Sequence, residues 1–439
     1  MATISKYSRI FTNIEDDIIL FNSINRAIVS IPQKYLKKNK LCLEIPNSEV
    51  ISLTEMGFLE DEIDMNLIAQ DYNEFSNLII SLETLLACNL KCPYCYQTGN
   101  NSYKEPITIE NLDLVYDYIV KVYEISKYQS LTFKVLGGEP TINWNVANHI
   151  IKRLSKFCKT HNIYFKLMID TNGTLIKDLV LLSGFDSLIL TIPLTHKECH
   201  NAYRKYASGK GSYDIIINNI NNLSRVLKNT IIVLRYNVDS INISKFKDYI
   251  QDLKDKLIFS PIISPNYTLN LGKGNYENKL KHSVFVKWLS SDFIDIMAKY
   301  NYKIVSSPFN LSGKCQYWSK YSLKIFSNGT VGACAMSFFD KNNPSLKEVF
   351  ENVNDISNYW NNAKSYSIFS DSDCKKCSSL FLCGGAYKTP CVKSLKLNEC
   401  LPDGIIHIDL KLFLERYLRY SREGKNDLFI GFNEYENYK

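Results

Sequence analysis

No stretch of this chain approaches the roughly 20 consecutive apolar residues that a membrane-spanning helix needs. The most apolar one, Leu179 to Leu194, is broken by Ser183, Gly184 and Asp186. The opening residues, Met-Ala-Thr-Ile-Ser-Lys-Tyr-Ser-Arg, lack the apolar core of a signal peptide. We therefore expect a cytoplasmic protein with no membrane partner. A dense basic run is also missing. Net charge is +7, but residues 1–76 hold seven Lys/Arg against twelve Asp/Glu, a balance of −5 that leaves +12 for the remainder. That excess is scattered over helical segments, which argues against nucleic acid as a partner and for a solvated surface. The six histidines show no ligand spacing, and no internal repeat divides the 439 residues. With 45% apolar and 22% charged residues, the chain reads as globular and long enough for two or three domains.

Cysteine, in contrast, is plentiful. Thirteen cysteines in a reducing compartment argue for metal ligation over disulfides. Cys42, Cys158 and Cys199 stand alone and read as small buried hydrophobes. The other ten fall in tight groups or in the C-terminal third. The densest group is Cys88-Asn-Leu-Lys-Cys92-Pro-Tyr94-Cys95. A loop so spaced can bring three sulfurs to a cubane while its fourth iron keeps an open coordination site for a substrate or cofactor. A zinc site remains the alternative for the spacing alone.

From Asn77 to about Ser264 strand-like and helix-like segments alternate. Strands are expected at Leu78–Leu85, Leu131–Leu136, Ile163–Asp170, Ser187–Ile192, Thr230–Val238 and Leu257–Ile263. Helices fall at Ile109–Ser126, Val146–Phe157, Tyr213–Leu227 and Ile243–Leu253. Such alternation implies right-handed crossovers, hence an α/β fold with a parallel sheet, and six units suit a partial (βα)6 TIM-like barrel whose chemistry sits at the carboxyl ends of its strands. Three motifs occupy those ends: the cysteine loop after the first strand, Gly137-Gly138-Glu139-Pro140 after the second, and Thr171-Asn172-Gly173 after the third. A glycine pair after a strand is usually a turn. It also lets backbone approach a ligand closely, and an acidic side chain beside it can receive an ammonium group.

Together these motifs resemble the radical S-adenosylmethionine (SAM) enzymes. The resemblance rests on Cys88, Cys92 and Cys95 with the aromatic Tyr94 before the last cysteine, and on Gly137-Gly138-Glu139-Pro140, which is similar to the family's GGEP motif. It implies a [4Fe–4S] cluster on the three cysteines and SAM as cofactor. SAM contacts are then implied at Tyr94, Gly137, Gly138 and Glu139, with Thr171, Asn172, Arg235 and Asn237 touching its carboxylate or ribose. Reductive cleavage would release a 5′-deoxyadenosyl radical that abstracts hydrogen from the substrate.

The remaining cysteines extend the resemblance. Thirteen residues separate Cys315 from Gly329, and four separate Gly329 from Cys334. Cys374-Lys-Lys-Cys377 and five further residues then lead to Cys383, Cys391 and Cys400. Leu323–Phe326, Asn328-Gly329 and Val331 read as a hairpin that swings Cys334 back towards Cys315. This resembles the C-terminal SPASM extension of peptide-modifying radical-SAM enzymes, which holds auxiliary [4Fe–4S] clusters. By that analogy Cys374, Cys377, Cys383 and Cys400 hold one cluster, and Cys315, Cys334 and Cys391 a possible second. Tyr387 stands where the family has a further cysteine. Anaerobic sulfatase maturases are similar in layout but carry an Asp that acts as a base where this chain has Ala335, and the family's Ser-(Ile/Leu)-Asp-Gly reads Thr191-Ile192-Pro193-Leu194 here. His200, Arg204 and Gly211-Ser212-Tyr213-Asp214 do resemble the peptide-maturase branch.

The expected organisation is a small α+β unit over 1–76 that could bind a leader peptide, a barrel over 77–265, a connector over 266–310, a SPASM domain over 311–409, and a closing helix and tail over 410–439. The expected activity is cross-linking of a ribosomally made precursor peptide, through thioether or carbon–carbon bonds, with an electron donor such as flavodoxin or ferredoxin. A sulfatase-maturase-like enzyme, a small-molecule dehydrogenase and a non-catalytic zinc-binding module are the alternatives.

Overall fold

The computed structural model describes residues 2–14, 17–35, 42–43, 46–59, 77–97, 105–182, 185, 187–227, 230–268, 276–305, 316–317, 319–335, 337, 342–360, 371–377, 380, 404–405 and 408–430. The N-terminal unit is an antiparallel meander of β1 (Ser8–Ile14), β2 (Asp17–Asn22) and β3 (Ile28–Pro32), backed by helix α1 (Asn47–Glu55). Strand β2 is apolar on both faces, and the period of two divides it cleanly. Ile18 and Leu20 join Leu53 and Phe58 in a local core, while Ile19 and Phe21 join the main one. The unit expected to stand apart is therefore packed onto the body of the protein through one face of its sheet.

Six parallel strands follow: β4 (Asn77–Glu83), β5 (Ser130–Leu136), β6 (Tyr164–Asp170), β7 (Leu188–Pro193), β8 (Thr230–Val238) and β9 (Ile262–Tyr267). Each of the expected six is present. The last begins later than Leu257, because Leu257 and Phe259 pack against the core from the loop after a helix instead. Helices α2 (Ile109–Ser126) and α3 (Trp144–Thr160) cover the outer face, where Leu78, Ile80, Leu82, Leu131, Phe133 and Val135 meet Val115, Ile119, Ile150 and Leu154. Each such fully buried side chain contributes about 1.5–3 kcal/mol by leaving water.

The sheet does not stop at six strands. The hairpin of β10 (Leu323–Ile325) and β11 (Val331–Gly332) joins it, with β10 parallel to β4 in the register Leu323↔Ile80 and Ile325↔Leu82. The cysteine-rich region thus begins as a continuation of the barrel sheet. Within 266–310, expected to be a connector, helices His282–Leu289 and Asp292–Lys299 bury Phe285, Trp288, Phe293 and Met297 in the main core. The closing helix is observed at Leu410–Arg422, with Leu410, Phe413 and Leu414 buried as its periodicity requires. Among the described residues no helix is long and apolar enough to cross a membrane.

Candidate active site

Along the barrel strands the inward side chains change character with height. Near the amino ends Met168, Ile189, Ile231, Val233 and Ile262 pack together, closed by Val305 and Ile430. Near the carboxyl ends several strands turn charged side chains inward. Lys134 Nζ lies 2.8 Å from Asp170 Oδ2, and Arg235 Nη2 lies 3.6 Å from the same oxygen. Burial would push the Asp170 carboxyl up, but Lys134 and Arg235 hold it below its usual value. Glu83 accepts from Gln97 Nε2 at 3.0 Å. The Lys324 ammonium, 1% exposed, stands 3.8 Å from Glu83 Oε2, and burial lowers its pKa to about 8 against the pull of Glu83. Sequence reasoning missed this interior ladder except for Arg235.

The cysteine loop leaves the end of β4 at the rim above these charges. Gly138 N–H donates to Leu85 O at 2.8 Å and Glu139 N–H to Ala87 O at 2.9 Å, so the GGEP segment runs directly beside the chain entering the loop. A Cβ on Gly138 would lie 2.3 Å from the carbonyl oxygens of both Leu86 and Ala87. The close approach that demands glycine here is therefore backbone to backbone.

Glu139 is fully buried. Its Oε1 accepts from Thr141 N at 3.1 Å, Thr141 Oγ1 at 2.5 Å and Thr171 Oγ1 at 2.7 Å, and its Oε2 accepts from Asn172 N at 2.6 Å. The side chain expected to receive an ammonium group thus fastens the turn after β6 to the turn after β5. Asn172 passes the connection on. Its Nδ2 donates to Asn89 Oδ1 at 2.7 Å and lies 3.7 Å from Cys88 Sγ, while Asn89 Nδ2 donates to Thr174 Oγ1 at 2.8 Å. Glu139, Thr171, Asn172 and Asn89 form one hydrogen-bonded chain ending on the cysteine loop. Asn89 carried no signal of its own in the sequence.

On the other side, Tyr94 lies between Arg204, whose Nη1 is 3.5 Å from its hydroxyl, Asn237, which also bonds that hydroxyl, and Tyr276, edge-on at 5.3 Å. Burial raises the Cys88 and Cys92 thiols, and Arg204 draws the Cys92 thiol back down. The structure thus gathers Cys88, Cys92, Cys95, Tyr94, Glu139, Thr171, Asn172 and Asn237 at the rim, with Arg235 just below.

Cys88, Cys92 and Cys95 are partly exposed, with Leu90 N–H directed at Cys88 Sγ at 3.4 Å. Among the described residues no three His, Cys, Asp or Glu side chains close around a point that would hold a single ion. Three thiolates on separate corners of a [4Fe–4S] cluster need no such convergence, so the donor set fits that group. Of the auxiliary set, Cys334 follows β11, Cys374 lies within the short helix Ser372–Lys376 and Cys377 directly follows it; Asp371 caps that helix, its Oδ1 accepting from Cys374 N at 3.0 Å. Cys315, Cys383, Cys391 and Cys400 lie outside the described residues, as does Tyr387.

Residues 82–253 match the radical SAM superfamily. The chain is 27% identical over 320 residues to a cysteine-type anaerobic sulfatase-maturating enzyme of Clostridium novyi (strain NT), spanning 67% of this chain and 83% of that protein. The fold resembles native anSMEcpe with bound AdoMet and Kp18Cys peptide, with a TM-score of 0.56, 19% identity, and coverage of 80% of this chain and 98% of that one. Streptococcus suis SuiB bound to precursor peptide SuiA matches at a TM-score of 0.49 and 17% identity, covering 88% and 95%. The superfamily match and the enzyme relative set aside the reading as a non-catalytic zinc-binding module.

Proposed function

We propose that this chain, an enzyme with a radical SAM domain, modifies a ribosomally made peptide, joining two of its residues through a thioether or carbon–carbon bond. The observation that carries the reading is the cysteine loop at the end of β4, tied through Asn89 and Asn172 to the buried Glu139. When bound, the cluster and SAM supply a 5′-deoxyadenosyl radical after one electron arrives from a donor such as flavodoxin or ferredoxin. The chain's own part is to hold three thiols in one place, to close the barrel below them, and to surround the mouth with fixed charges. Residues 1–76 are the candidate leader-binding unit, through addition of a strand to the β1–β3 sheet.

A peptide is favoured because the Clostridium novyi relative matures a sulfatase and the anSMEcpe structure holds a peptide. Sulfatase maturation itself is the second reading, favoured by that relative. Against it, Ala335 stands exposed in the turn after β11 with no group to take a proton. The test is anaerobic reconstitution with dithionite, SAM and candidate peptides. Wild type should release 5′-deoxyadenosine and methionine, Cys88→Ala should release neither, and the peptide should lose a pair of hydrogens while keeping its sulfur. An active Cys88→Ala protein refutes the radical reading. Loss of sulfur from a cysteine peptide, giving an aldehyde, favours the second.

A further inference from the structure

A second loop runs against the cysteine loop. Between helices α4 (Lys197–Tyr203) and α5 (Tyr213–Val226), the chain places Tyr206 in an antiparallel bridge with Leu90, and Lys205 O accepts from Lys91 N at 2.8 Å. This strap turns Arg204 inward, 6% exposed. Arg204 Nη1 lies 3.6 Å from Cys92 Sγ and 3.5 Å from the Tyr94 hydroxyl. The placement is over-determined from behind. Ser212 Oγ donates to Arg204 O at 2.7 Å, His200 Nε2 lies 3.0 Å from Ser212 Oγ, and Arg204 N donates to His200 O at 2.7 Å. Gly211 completes the fit, since a Cβ there would fall 2.3 Å from the Asn201 side chain.

A guanidinium cannot shed its proton, so Arg204 carries its charge into the interior whatever the pH. Its Nε finds no acceptor among the described residues. Such a burial is costly unless an anion compensates it. The groups within reach are a thiol and a phenol, and of these the thiol becomes an anion when it ligates iron. Arg204 is therefore matched to Cys92 in its metal-bound form.

We propose that Arg204 is a positioning residue that sets the electron affinity of the cluster carried by Cys88, Cys92 and Cys95. Its fixed positive charge beside the Cys92 sulfur favours the reduced cluster, which holds one more negative charge than the oxidised one. Hydrogen bonds and charges at the sulfurs are among the determinants of such potentials. The proposal rests on the radical SAM reading, but not on the identity of the peptide.

The test is a redox titration of the anaerobically reconstituted holoenzyme, followed by the electron paramagnetic resonance of the reduced cluster, without SAM or peptide. Arg204→Met should load as much iron and sulfide as wild type and reduce less readily, by tenfold or more in the equilibrium constant, about 59 mV for one electron. Arg204→Lys keeps the charge and should recover most of that difference. If Arg204→Met fails to take up iron, Ser212→Ala, which keeps the charge but releases its anchor, should shift the potential in the same direction by less. A loaded Arg204→Met, or in its absence Ser212→Ala, at the wild-type potential overturns the proposal, as does an Arg204→Lys protein indistinguishable from Arg204→Met. Wild-type protein that holds no iron at all would instead sink the radical SAM reading.

Discussion

Replacing Glu139 with Gln separates two roles that its position allows. The side chain is fully buried and accepts four hydrogen bonds, three on Oε1 and one on Oε2. A glutamine of the same shape has only one acceptor atom. Turned so that its oxygen serves Thr141 and Thr171, it points an amide N–H at Asn172 N–H. One charge-assisted bond is lost, worth about 1.5–3 kcal/mol, and a buried donor is left unmatched at roughly 1–3 kcal/mol more. Three neutral bonds replace three charged ones, so about 3 kcal/mol is a conservative total. At roughly 2–4 °C per kcal/mol for a domain of barrel size, the apoprotein should melt some 6 to 12 °C lower. Because Asn172 also holds Asn89, the loss should travel to the cysteine loop and lower the iron bound per chain. If the carboxylate served only to receive an ammonium group of a cofactor, Glu139→Gln would weaken SAM binding and leave both the apoprotein melt and the iron content at wild-type values. That second pattern would refute the structural role.

Gly138→Ala is expected to be more disruptive than its size suggests. The added Cβ would sit 2.3 Å from two backbone carbonyl oxygens that no rotamer change can move. A destabilisation at the upper end of about 1–3 kcal/mol, with reduced iron uptake, should appear in thermal melts and iron assays. Lys324 gives a pH signature. Unfolded, this lysine holds its proton to near 10.5, whereas burial in the fold lowers its pKa to about 8. Between these values the unfolded chain binds more protons, so the lysine's contribution makes stability rise with pH. Wild type should gain on Lys324→Met by about 2 kcal/mol between pH 7 and pH 9.5, at about 1.4 kcal/mol per pH unit. Urea unfolding at the two pH values measures the difference, and parallel changes in both proteins would rule the effect out.

The barrel was legible because its strands alternate. In β4 and β5 the residues Leu78, Ile80, Leu82 and Leu131, Phe133, Val135 form an apolar set of period two, and the helix stripe of Val115, Ile119 and Val122 supplies its partner. The site motifs were legible because parallel strands place successive carboxyl ends on one rim. Their roles were not. Whether Glu139 faces a ligand or a neighbouring turn depends on Thr171 and Asn172, which are more than thirty positions away. Strand β10 was read as part of a separate hairpin because it is three residues long with a lysine at its centre. Pairing with β4 turns that lysine into the barrel, a register no local pattern encodes. The helices within 266–310 did leave a trace: Phe285, Trp288 and Leu289 recur at helical spacing, but the surrounding Asn, Lys and Tyr obscured it.

The layering of the barrel interior bears on how the rim can work. Below, the space is filled by Met168, Ile189, Ile231, Val233 and Ile262, and the bottom is sealed where two later segments pair, Ile304 N to Leu428 O at 2.7 Å and Ile430 N to Ile304 O at 3.0 Å. These contacts bring Val305 and Ile430 under the strands, so access from below is closed by packed side chains. Above that floor, Lys134, Arg235 and Lys324 face Glu83 and Asp170, three cations against two carboxylates. Dipoles and charges fixed in advance do not have to reorganise when a ligand arrives, which is the main way a folded site outperforms water. The cysteine loop is fixed in the same sense, on one side by Asn89 and Asn172 and on the other by the strap that carries Arg204. Loosening either side should reduce iron uptake while leaving the barrel core intact, since neither Asn89 nor Lys205 belongs to it.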